Sequence, residues 1–138
     1  MRTINEIILH CSATPEGRVV TVQDIDRWHK EKGYKGIGYH YVIYIDGSVH
    51  KGRSDSEIGA HCENHNAHSI GVCYVGGCDA AMKPKDTRTE AQRKAMEKLV
   101  QELKFRFPGV TIHGHSEYDK GKACPSFDVQ KWRKEVRL

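Results

Sequence analysis

Three side chains near opposite ends of the 138-residue chain have the chemistry of a metal centre. His10 closes the apolar run Ile7-Ile8-Leu9-His10, while His115 and Cys124 stand in the stretch 114–125. Imidazole nitrogen and thiolate sulfur are good zinc donors. A set of three leaves the fourth tetrahedral position open to water, which distinguishes a catalytic zinc from a closed structural one. The chain has no Cys-x2-Cys pair of the kind structural zinc sites carry. Donors this far apart in sequence meet only through a finished fold.

The elements that must position them are legible. Residues 4–9 read as a buried strand. Residues 14–18, with Pro15 and Gly17, read as a turn, and a helix follows with Thr21 as N-cap and Asp24 three residues on. Val22, Ile25 and Trp28 share one face of it, and Gly33 ends it. Residues 39–45 are rich in β-branched and aromatic side chains, and Asp46-Gly47 signals a hairpin returning through Ser48-Val49-His50. The polar, histidine-rich residues 59–69 read as a loop or short helix, and residues 69–75 as another strand. The longest helix is expected to begin near Thr87 or Thr89, with Met96, Leu99, Val100 and Leu103 as its core stripe and Pro108-Gly109 as its end. A strand over 110–113 and a short helix over 129–136 docking Trp132 complete an α/β fold. The expectation is one domain over residues 1–138, a central mixed sheet of about four or five strands flanked by helices.

Composition narrows the function. Hydrophobic residues at 38% and charged residues at 29% describe a globular domain, and no apolar run approaches the roughly 20 residues of a membrane span. The net charge of +4 comes from scattered lysines and arginines, without a basic arm or aromatic-rich motif, so nucleic acid is not an expected partner. Five cysteines cannot pair completely, which fits free thiols in a reducing compartment. The start leads directly into a strand without the apolar stretch of a secretory signal, so synthesis in the cytoplasm is expected.

Taken singly, each donor has a plain reading: a strand-end histidine is a satisfied polar group, and a lone cysteine a small buried hydrophobe. His113 and His115 alternate along an extended segment and point to one face, so either could be the second imidazole. Lys122 lies two residues before Cys124, and in an extended segment its ammonium would stand beside the metal. Such a cation stabilises an oxyanion.

The motifs together resemble the phage lysozymes that are zinc-dependent N-acetylmuramoyl-L-alanine amidases and, more distantly, the peptidoglycan recognition proteins. The matching stretches are Ile8-Leu9-His10-Cys11-Ser12, Gly38-Tyr39-His40-Tyr41, Asp46-Gly47-Ser48-Val49, Gly59-Ala60-His61 with Asn66, Ser69-Ile70-Gly71-Val72, and Lys122-Ala123-Cys124-Pro125-Ser126-Phe127. The resemblance implies zinc on His10, His115 and Cys124, choosing His115 by its His-x-acidic context. It also implies catalytic roles for Tyr39 and Lys122, and muropeptide contact through His61 and Asn66. The implied reaction is hydrolysis of the amide between N-acetylmuramic acid and L-alanine, on the cell wall after release or on wall fragments in the cytosol. The loop between His115 and Cys124 is about one residue longer than in the phage relatives, which puts residues 118–121 on a path of their own.

Rival readings are a recognition module that binds peptidoglycan without cutting it, a cysteine hydrolase, and a structural zinc protein. Cys124 argues against the first, because non-catalytic relatives typically lack that ligand. Cys11 follows His10 directly and would point to the opposite face, a poor nucleophile–base pair. The ligand count and spacing disfavour the third. A second metal site in the His61-to-His68 cluster is weighed against substrate contact, and the latter is preferred.

Overall fold

The computed structural model describes residues 2–138. Its elements in chain order are β1 (Glu6–Cys11), β2 (Thr14–Pro15), α1 (Val22–Glu31), β3 (Tyr41–Ile43), β4 (Val49–Lys51), a 3-10 turn (Asn66–His68), β5 (Ser69–Tyr74), β6 (Gly77–Cys78), α2 (Glu90–Arg106), β7 (Thr111–Gly114), a 3-10 turn (His115–Glu117) and α3 (Val129–Glu135). The main sheet has five strands in the order β4-β3-β5-β1-β7. β1 runs parallel to both β5 and β7, β3 is parallel to β5, and only the β3–β4 hairpin is antiparallel.

A strand covered on both faces reads as an unbroken apolar run, and β1 does. Its side chains divide by period two. Ile7, Leu9 and Cys11 join Ile70, Val72 and Tyr74 of β5 in the larger core, under Met96, Leu99, Val100 and Leu103 of α2 and Trp132 of α3. On the opposite face Val42 of β3 packs with Ile25 of α1, Val20, Ile37 and Val75. His10 alternates with Leu9 and so looks away from α2, in register with Cys73 of β5. Among the described residues no helix is long and apolar enough to cross a membrane.

The helix starts follow their caps. Thr21 accepts from the Asp24 N–H at 3.2 Å while Asp24 accepts from the Thr21 N–H at 3.0 Å, so aspartate closes the box. In α2 the cap is Thr89, and Gln92 is its reciprocal partner, with both bonds at 3.0 Å or less. Gln92 also donates from Nε2 to the carbonyls of Ile43 at 3.2 Å and Val75 at 3.0 Å, pinning the ends of β3 and β5 to the helix.

Two expectations change, while the hairpin expected at Asp46-Gly47 forms. The strand expected over 39–45 contracts to Tyr41–Ile43. Gly38 passes so close to the Ala60 carbonyl that a Cβ there would lie 2.0 Å away, and beyond Ile43 the chain turns through Gly47 N–H to Tyr44 O at 2.9 Å. The connection to β4 is a five-residue loop, 44–48, with Gly47 at φ +87°. Finally, Thr14–Pro15 is not only turn: it pairs in parallel with Gly77–Cys78 as a second, two-stranded sheet.

Gln92 is fully buried. Gln92→Leu removes the cap partner and leaves the Val75 carbonyl unpaired, while the Ile43 carbonyl keeps the Val75 N–H at 2.9 Å, so we expect a loss of about 2–3 kcal/mol of stability, read as a lower urea midpoint. An unchanged midpoint would show that the helix–sheet pin contributes nothing.

Candidate active site at the carboxyl ends of the parallel strands

The parallel strands β5, β1 and β7 all end at one edge, the usual position for a ligand crevice in such sheets. His10, 1% exposed, sits there on β1. Its parallel neighbour β7 supplies His113 opposite Ile8, two residues short of His10, a shift of about 7 Å along the sheet. His115 is two residues further on, where β7 gives way to a 3-10 turn, and its ring centroid lies 4.7 Å from that of His10. The two histidines thus differ in register. His113 instead bonds Glu117 at 3.0 Å and Thr111 at 2.7 Å.

Cys124 arrives from the loop after that turn. Its Sγ lies 3.7 Å from His10 Nδ1, and the donor atoms of His10, His115 and Cys124 all fall within 4.8 Å of one another. Among the described residues this is the single group of histidine, cysteine and acidic side chains so arranged. The histidine-rich loop scatters instead: His65 stacks on Tyr118 at 3.7 Å, and His68 turns to the Thr3 carbonyl.

Several bonds hold the two donor-bearing segments together. The Ser116 N–H donates to the Cys124 carbonyl at 2.8 Å, and the Tyr74 hydroxyl donates to the Pro125 carbonyl at 2.7 Å. Glu117, the acidic residue of the His-x-acidic segment, accepts from the Gly114 N–H and from Gln130, so it fastens the turn that carries His115. Behind Cys124, the Arg88 guanidinium lies 3.4 Å from the centre of the Phe127 ring and forks onto Asp86 at 3.0 Å twice. Sequence reasoning missed Tyr74, Arg88 and Gln130, whose partners Pro125, Phe127 and Glu117 lie 13 to 51 residues away.

The electrostatics suit a metal. Burial first, then the neighbouring imidazoles, push His10 well below the ordinary histidine range, and burial lowers His115 too. Neutral imidazoles are what a metal requires. Cys11 and Cys124 are neighbouring thiols, so ionising one opposes ionising the other: Cys11 is pulled down to about 7, while Cys11 and burial push the Cys124 thiol up. The Cys11 N–H points at Cys124 Sγ from 3.1 Å, a bond that strengthens when that sulfur is anionic.

A cleft of about 690 Å³ opens over this centre, lined among others by Tyr39, Lys122, His61, Asn66, Tyr34 and Tyr118. The Tyr39 ring stands 5.1 Å from His10, and burial first, then the Cys73, Cys124 and Cys11 thiols, keep its phenol protonated. Lys122 does not reach the cleft along a strand as expected. Its N–H closes a turn onto the Asp119 carbonyl at 3.0 Å, and its exposed side chain approaches from there. His61 and Asn66 line the wall, but their polar atoms have internal partners. Both His61 ring nitrogens are engaged, one with His10 and one with Ser69, and the Asn66 carboxamide oxygen accepts from the N–H groups of His61 and Cys62 at 2.9 Å each.

A family model described as N-acetylmuramoyl-L-alanine amidase matches residues 1–127. The chain belongs to this family. An endolysin of Klebsiella phage KP32 is 42% identical over 134 residues, covering 97% of this chain and 88% of the relative. The fold is shared with the amidase LysC from Clostridium intestinale, at TM-score 0.85 and 24% identity over 99% of this chain and 87% of that one. Drosophila PGRP-LB shares it at TM-score 0.76 and 24% identity, over 91% and 76%. The protein is a peptidoglycan amidase, not a recognition module without activity.

In this amidase one further cleft residue escaped the sequence. His29, on the last turn of α1, looked no different from its solvent-facing neighbour Lys30. Yet it is 8% exposed, accepts from the Gly38 N–H at 2.8 Å and packs 5.3 Å from the Tyr39 ring. Burial, then Lys32 and Arg53, lower its pKa from 6.5 to about 4. An imidazole with a depressed folded pKa binds fewer protons folded than unfolded, so its contribution is complete above about pH 6.5 and fades as the pH falls toward 4. We expect His29 to lose about 2 kcal/mol by pH 5. Urea midpoints at pH 7 and pH 5 test this. The difference should shrink in His29→Gln, and an equal difference in the variant would rule the assignment out.

Proposed function

We propose that this amidase holds a zinc ion on His10, His115 and Cys124, and that residues 1–138 act as one catalytic domain. The reading is supported above all by the convergence of these donor atoms within 4.8 Å. Two neutral imidazoles and a thiolate match the donor preferences of zinc. Zinc bound there supplies Lewis acidity, activating water at neutral pH and polarising the scissile carbonyl.

The other roles belong to the chain's own groups. Lys122 brings an ammonium to the cleft rim, where it stabilises the oxyanion that forms as the amide is attacked. Tyr39 keeps its proton on Oη at the cleft floor and donates a hydrogen bond to the reacting groups. The wall carrying His61 and Asn66 meets the muropeptide. The Asn66 amide nitrogen, with no protein acceptor among the described residues, is the polar group it offers, whereas His61 presents its ring edge. The substrate is the amide between N-acetylmuramic acid and the L-alanine of the stem peptide, reached at the cell wall after release from the cytoplasm or on wall fragments.

Digestion of purified cell walls tests the reading. New amino-terminal alanine should appear without new reducing sugar ends; reducing ends instead would reassign the enzyme as a glycosidase. A strong chelator should abolish turnover and zinc restore it. Turnover indifferent to the chelator would remove the metal and favour a Cys124 thiol acting with His10. Lys122→Ala should retain zinc and lose about 100- to 1,000-fold in kcat. Cys124→Ser should weaken zinc itself. A Lys122→Ala enzyme with full turnover would exclude the oxyanion role.

A further inference from the structure

His10 has two ring nitrogens, and the structure gives them different neighbours. Nδ1 faces Cys124 Sγ at 3.7 Å, whereas Nε2 lies 2.8 Å from His61 Nδ1. The far nitrogen of His61, Nε2, lies 3.1 Å from Ser69 Oγ. The three side chains form a buried line: His10 is 1% exposed, His61 9% and Ser69 0%.

We infer that His61 is a positioning residue that fixes the tautomer and ring plane of His10, so that Nδ1 carries the lone pair offered to the metal. The inference rests on the zinc site proposed above. If Nδ1 is the ligand atom, the single proton of a neutral His10 sits on Nε2. That N–H must donate, so His61 Nδ1 accepts. His61 then carries its own proton on Nε2 and donates it to Ser69 Oγ. The reverse line, starting from a Ser69 O–H donor, would leave the His10 proton on Nδ1 and block the ligand atom. Only one of the two proton arrangements suits metal binding. Outer partners of this kind hold a ligating histidine in orientation and tautomer.

The seat of His61 is built around its ring. A Cβ at Gly71 would lie 2.6 Å from His61 Cγ, and one at Gly59 would lie 2.6 Å from His61 Cδ2. No larger residue at either position leaves the ring where it is. Asn66 holds the same residue from behind, taking its N–H at 2.9 Å. The Gly59-Ala60-His61 stretch, Asn66, Ser69 and Gly71 thereby act as one device for aiming His10. Both ring nitrogens of His61 are engaged inside the protein, so neither is free for a muropeptide.

Two equilibrium measurements separate the roles. Zinc affinity is read by competition with a chromogenic chelator, and substrate affinity by binding of a soluble muropeptide to the zinc-free protein. His61→Ala should weaken zinc about 10- to 100-fold and, because only its ring edge meets the muropeptide, lower muropeptide affinity by much less than that. His61→Asn, whose carboxamide oxygen can stand near the Nδ1 position, should recover much of the zinc affinity. Unchanged zinc affinity in His61→Ala, or a loss confined to muropeptide binding, would overturn the inference. Should the variants misfold, nitrogen-15 NMR of the wild-type, zinc-loaded protein decides. It should find the His10 and His61 protons both on Nε2; a His10 proton on Nδ1 would refute the assignment. Cys124→Ser distinguishes the two failures. If it weakens zinc while His61→Ala does not, the metal site stands and the positioning role falls. If the wild type takes up no zinc, both fall.

Discussion

Parallel register on β1 is the constraint from which the site follows. β1 pairs with β5 on one side and β7 on the other, so the three strands end at the same edge. Period-two alternation then sorts their side chains. Ile7 and Leu9 go to the core under α2, and His10 goes to the opposite face beside Gly71 and Cys73 of β5. A slip of one residue would send His10 into the apolar core and Leu9 into the cleft, so core burial and the placement of the His10 imidazole are enforced by the same pairing.

The second constraint is the meeting of the chain's two ends. His10 is presented by a strand paired on both sides in the sheet, whereas Cys124 depends on a loop. That loop is fastened from three directions: to the His115 turn through Ser116, to β5 through the Tyr74 hydroxyl, and to the start of α2 through Arg88 stacked on Phe127. None of these residues touches the donors' reactive atoms. Their contribution is the rigidity that a site needs if its geometry is to survive thermal motion.

Sequence legibility tracked the range of the interactions. The caps at Thr21 and Thr89, the stripe of α2 and the strand at β1 depend on neighbours three or four residues away, and they appeared as expected. The donors His10, His115 and Cys124 were readable as types, and the resemblance singled out His115; the reason His113 is bypassed is a register with β1 that no local pattern displays. The β2–β6 sheet was hidden because two-residue strands have no periodicity, and β3 was overread because aromatic and β-branched residues continue past the point where Gly38 and the 44–48 turn end the pairing. His29 and Arg88 were invisible for a similar reason. A polar side chain on a helix or loop gives no sign that its partner lies on a distant segment.

The distance in sequence between His10 and Cys124 has a thermodynamic side. They are 114 residues apart, so an ion shared between them closes most of the polypeptide into one ring. In chain-entropy terms a cross-link spanning a ring of that size removes about 5 kcal/mol of freedom from the unfolded ensemble. The centre would then act as a clasp as well as a reagent. Loss of the ion would loosen the whole domain rather than one corner of it, and mature enzyme and unfolded chain would compete for the same metal.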